Sequence, residues 1–161
     1  MRSPVPGPYT LSKFFDEAKQ QLPYLVKERR LFLRGWLGAD RLPGRQRLAV
    51  QLRLARLLGC PVCVAAFSRW ALRQGLGGAF VQSALEGQPE GLPEGVYPAV
   101  AWAEAVLKAD GDPAGDLPEA ARTLPETQRE HLRYMMRLEL LVHATGLFFL
   151  PHSIILRAAG Q

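Results

Sequence analysis

Cys60 and Cys63 are the only cysteines in the chain, and they stand three residues apart in "LLGCPVCVAAFSRW". A pair at this spacing has three readings: a redox couple, half of a metal site, or two small buried residues without activity. Pro61 favours the first position of a helix, which puts Cys60 at the N-cap and Cys63 one turn in. Residues three apart at a helix start share a face, with Cβ atoms about 5–6 Å apart, and modest rotation brings that within the range of a disulfide. The unpaired N–H groups and the positive end of the helix dipole favour a thiolate at Cys60. In a cytoplasmic chain, CxxC signals chemistry more often than a static crosslink. A structural zinc site wants four ligands, but there is no second CxxC, and His131, His143 and His152 lack a paired ligand spacing. The spacing therefore points first to redox chemistry, with the inert pair as its alternative, and no metal or cofactor is expected.

The elements that must position this pair read as helices. Hydrophobic spacing is helical nearly throughout, and alternating β-branched runs and Asn-Gly or Asp-Gly hairpin signals are absent. "LSKFFDEAKQQL" reads as a first helix, capped by Thr10 or Ser12, and Pro23 permits a fresh start into "YLVKERRLFLRGWLG". A turn at "DRLPGRQ" leads to a strongly apolar helix over 45–58. Gly59 stops it, and the cysteine helix runs from Pro61 to about Arg73, where "QGLGG" breaks it. "AFVQSALEG" and "VYPAVAWAEAVLKA" give two more helices, followed by the loop "DGDPAGDLP". The last long helix starts at "TLPETQRE", where Thr123 and Glu126 have capping-box spacing with Pro125 in the first turn. It is expected to end near Gly146, with a short segment after Pro151.

Composition bounds the class. Of 161 residues, 48% are hydrophobic and 22% charged, a balance and length that suit one domain with a real core. No apolar signal region opens the chain, and "LLVHATGLFFLP" is too short to span a bilayer. A soluble, cytoplasmic, all-α protein without membrane association is expected. The net charge of +5 is carried mostly by arginines interleaved with leucine and alanine. That pattern reads as a solvated helix face or inter-subunit ion pairs rather than a nucleic-acid surface. Leucine and alanine surround much of the 45–58 helix. This fits either burial against another subunit or a central helix wrapped by its own chain.

The stretch "LAVQLRLARLLGCPVCVAAFSRWALRQGLGGAFVQSAL" resembles the core of the carboxymuconolactone decarboxylase and alkylhydroperoxidase D-like superfamily, in its CxxC-bearing, peroxidase-like branch. The resemblance rests on an apolar helix with internal Arg53, then "GCPVC", the Ala65–Ala66 pair and a Gly-interrupted helix; "MRLELLVHATGLFFLPHS" is similar to the closing helix. It covers roughly residues 42–152, with 1–41 as an N-terminal helical extension of one domain. The resemblance implies an all-helical bundle and a homo-oligomer, commonly a trimer or hexamer. It also implies thiol-dependent hydroperoxide reduction fed by a dithiol or thioredoxin-like donor. By position, Cys63 would attack peroxide and Cys60 would resolve the disulfide. The family pattern runs CxxCxxxH with a glutamate twelve residues before the first cysteine, and these two side chains relay the thiol proton. Here those positions are Phe67 and Leu48. A positioned general base contributes about 10²–10⁴-fold, so dithiol–disulfide exchange is expected to outweigh peroxide turnover. Glu139 and His143, four apart on one face of the last helix, are candidates for a substitute relay; Glu104 and Tyr97 are weaker ones.

Overall fold

Helix α1, Gly44–Leu57, has more buried positions than one amphipathic stripe supplies. Leu48, Ala49, Val50, Leu52, Leu54 and Ala55 are all buried. The computed structural model describes residues 42–109 and 117–149, together with positions 23 and 30; beyond Arg137 the last helix is described as backbone, apart from Glu139. Among the described residues there are six helices and no strand. After α1 come α2 (Pro61–Arg73), α3 (Gly78–Glu86), α4 (Tyr97–Lys108), α5 (Glu119–Arg122) and α6 (Glu126–Phe149). The all-α expectation holds.

The core explains the crowding on α1. That helix packs against α2, α3, α4 and α6, so its apolar circumference is used within the chain as a central helix. Trp102, Val100 and Ala103 of α4, Phe80 and Ala84 of α3, and Leu132 and Met135 of α6 complete one cluster with it. Burying each large side chain stabilises by roughly 1.5–3 kcal/mol. Arg133 of α6 lies over the buried Trp102 ring, 5.4 Å from its centroid, so a cation covers the largest side chain of the core.

The joint between α1 and α2 is a double cap. Gly59 takes φ +68°, a conformation that costs an L side chain about 1–2 kcal/mol. Its N–H donates to the Arg56 carbonyl at 3.2 Å, and the Cys60 N–H reaches back to the Ala55 carbonyl at 3.0 Å, the paired bonds of a Schellman ending. Cys60 then opens α2 as its N-cap, with Pro61 as the first helical residue. The expected boundaries at Gly59, Cys60 and Arg73 are those observed.

Two expectations need correction. Thr123 forms no capping box with Glu126. Its hydroxyl donates to the Ala120 carbonyl at 2.8 Å, closing α5, a four-residue helix that the loop-like flanks concealed. Glu126 instead pairs with Arg129 and Arg133 on the following turns. The second concerns Gly146, which does not end α6: the helix continues to Phe149, because one glycine weakens a helix by only about 1 kcal/mol. The expected helices before residue 42, the 110–116 loop and the segment after Pro151 lie outside the described residues.

Gly87 ends α3 with φ +71°, and a Cβ there would lie 2.9 Å from Arg53 Cζ and Nε and from Glu104 Oε2. The glycine is required twice, by its backbone and by the ion pair pressed against it. Gly59 faces open space. Gly87→Ala is therefore predicted to cost about 1 kcal/mol or more beyond Gly59→Ala in urea unfolding, since it displaces a charged hydrogen bond as well. Equal losses would show that the Arg53–Glu104 pair yields freely.

Candidate thiol–disulfide site

Cys60 and Cys63 are joined as a disulfide, with Cα atoms 5.3 Å apart. The helix start produces this proximity, as the spacing predicts. The Cys63 N–H donates to Cys60 Sγ at 3.2 Å, so the sulfur occupies the place an N-cap oxygen usually takes. The two sulfurs differ in their surroundings. Cys60 is 8% exposed and belongs to the buried set, whereas Cys63 is partly exposed. The dipole therefore favours negative charge on the inner sulfur, and solvent access favours attack at the outer one.

The rest of α2 is lightly covered. Ala71 is its one buried residue, and Trp70 and Leu72 rank with Leu57 as exposed large hydrophobics. Leu48 and Phe67, where the resemblance would put relay side chains, are packing positions. Leu48 is buried in the core, and Phe67 packs against it.

Glu139 is placed against α1, where the Gln51 side-chain amide donates to its carboxylate. Burial pushes the Glu139 carboxyl above the usual range, opposed in part by that hydrogen bond. The backbone of His143 lies one turn further along α6, while its side chain is outside those described. Glu104, in an apolar run, holds an ion pair: Arg53 Nε is 2.8 Å and Lys108 Nζ 2.6 Å from its carboxylate oxygens. The Arg53 hydrogen bond holds the Glu104 carboxyl below its ordinary value. Arg53 also donates to the Leu85 carbonyl at 2.6 Å, tying α1 to the end of α3. Tyr97, the other weak candidate, opens α4 and lines a cleft beside this ion pair. Among the described residues no group of three His, Cys, Asp or Glu side chains is arranged to hold a metal ion.

A cleft of about 530 Å³ lies between the start of α1 and the end of α2, lined by Arg45, Arg47, Leu48, Gln51, Trp70 and Gln74 among others. Spacing alone did not reveal it, because its wall joins residues far apart in the chain. The available signal was the 42–77 stretch, which holds six arginines and no acidic residue.

His131 of α6 is buried. Burial, reinforced by the charge of Arg47, holds its imidazole below the usual value. The unfolded chain therefore binds the His131 proton more readily than the folded one. The contribution is present near neutral pH and is lost as pH falls below about 6.5. Urea midpoints of His131→Leu should accordingly fall less between about pH 7 and pH 5 than those of the parent; an identical fall would contradict this. Glu139 has the opposite sign. Its raised folded value makes stability decline as pH climbs above about 4.5, so Glu139→Gln should gain stability at neutral pH relative to pH 5. A loss that grows with pH would contradict that reading.

No family model, curated protein or solved structure matches this chain.

Proposed function

We propose that this protein is a thiol–disulfide oxidoreductase acting through Cys60 and Cys63, better at dithiol–disulfide exchange than at hydroperoxide reduction. The observation that carries the reading is the division of roles between the sulfurs. A thiolate attacks the accessible Cys63 sulfur, and Cys60 leaves as a thiolate held by the Cys63 N–H and the helix dipole. Exchange is faster when the attacked sulfur is reachable and the leaving thiolate is stabilised. This order agrees with the one implied by the resemblance to the alkylhydroperoxidase D-like branch, in which the second cysteine is the reactive one.

Apolar packing at Leu48 and Phe67 argues against peroxide turnover by that family's relay, so peroxidase activity is proposed as the minor one. A homo-oligomer, a dithiol or thioredoxin-like electron donor and a cytoplasmic location belong to the same proposal. The described residues include no helix long and apolar enough to cross a membrane. The burial of Cys60 favours a second reading, a non-catalytic helical protein that keeps the disulfide as a structural or redox-sensing clasp.

Trapping separates the two. Incubated with a small disulfide, Cys60→Ser should accumulate a stable mixed disulfide on Cys63, at least about tenfold faster than Cys63→Ser forms one on Cys60. Intact-mass measurement reads both adducts. Faster labelling of Cys60 would overturn the order, and resistance of both variants would favour the clasp.

A further inference from the structure

The cleft lies at the far end of α2, the helix that carries the cysteines at its start. Trp70 is seven residues beyond Cys63, two turns along the same side of the helix and about 10 Å away along its axis. Phe67 stands between them at one turn. Trp70 and Gln74 form one wall of the cleft, and Arg45, Arg47 and Gln51 stand across from them on α1. A volume of about 530 Å³ is that of a small-molecule site.

The charge of this region is one-sided. Arg45, Arg56, Arg69 and Arg73 are exposed on the α1–α2 hairpin, and the acidic residues of the described chain lie in 78–109 and 117–149. No acidic side chain lines the cleft among the described residues, and Glu139 is hydrogen-bonded to its Gln51. Gln51, on the same wall as Arg45 and Arg47, spends its amide nitrogen on Glu139, and its Oε1 is buried without a hydrogen-bond partner among the described residues. Trp70, 42% exposed, offers a flat apolar face in the cleft that Arg45 and Arg47 also line.

We infer that this cleft binds the carboxylate-bearing arm of a small anionic disulfide and presents its S–S bond to Cys63. The inference rests on the thiol–disulfide reading and names the substrate class for it. In the reaction, the Cys63 thiolate attacks one ligand sulfur, the ligand S–S bond breaks, and one ligand thiolate leaves. The Cys60 thiolate then attacks the Cys63 sulfur, the protein disulfide forms, and the second ligand thiolate leaves. Two electrons pass from the cysteine pair to the ligand disulfide, and the protons shed by the two cysteines end on the two ligand thiols or in solvent.

The test is the rate at which the reduced full chain is oxidised by three disulfides: glutathione disulfide (anionic), 2-hydroxyethyl disulfide (neutral) and cystamine (cationic). Each rate is divided by that of the same disulfide with free dithiothreitol, which removes intrinsic reactivity. The expected corrected order is anionic over neutral over cationic, with about tenfold or more between the ends at about 20 mM salt and a smaller span at about 300 mM. Arg45→Gln and Gln74→Glu, both at exposed positions, should each reduce the anionic-to-neutral ratio several-fold. Equal corrected rates for the three disulfides, or a ratio that neither variant changes, would overturn the inference while leaving thiol exchange intact. Failure of all three disulfides to oxidise the folded protein would instead remove the thiol–disulfide reading, and this inference with it.

Discussion

Much of this structure turns on one residue that ends a helix with its backbone and begins the next with its side chain. The Cys60 N–H closes α1 on the Ala55 carbonyl, while Cys60 Sγ accepts the Cys63 N–H in the first turn of α2. Gly59 makes the geometry possible by taking the left-handed conformation between them. Because both helices meet in one residue, the sulfur cannot move far without loosening either. The same constraint fixes chemical character, since an N-cap sulfur lies where negative charge is favoured and its partner three residues on faces outward.

Helix α1 links this joint to everything else. Its apolar positions fill the core, Arg53 reaches Glu104 and the end of α3, and Gln51 reaches Glu139 on α6. Its first turn supplies the arginines of the cleft. Leu48 shows how closely packing and chemistry are interleaved. It is buried in the core and forms part of the cleft wall, at the position where the resemblance to the alkylhydroperoxidase D-like branch would put a relay glutamate. A carboxylate there would face the cost of burial, so the apolar choice at Leu48 and Phe67 favours stability over proton transfer. Exchange tolerates that choice, because it depends on thiolate and access.

What could be read from the sequence follows from what is local. The helix class, the Gly59 stop, the Cys60 N-cap and the end at Arg73 all depend on residues within a turn of each other, and each was legible. The errors arose where local signals compete. Thr123 has a capping-box partner at the right spacing, but a short helix immediately before it captured its hydroxyl. Gly146 resembles a terminator, yet a single glycine does not outweigh a long helix. The Gln51–Glu139 contact, the Arg53–Glu104–Lys108 group and the cleft were hidden because each joins residues far apart in the chain. Only the acid-free stretch 42–77 hinted that charge would gather on one side.

The most direct test of the account is the reduction potential of the Cys60–Cys63 pair, equilibrated in thiol–disulfide buffers and read by alkylation and mass. A thiolate stabilised at the N-cap favours the reduced form, so the pair should be more oxidising than about −300 mV, in the range where exchange proteins work. A potential well below about −300 mV would mark the disulfide as a structural clasp and contradict the account.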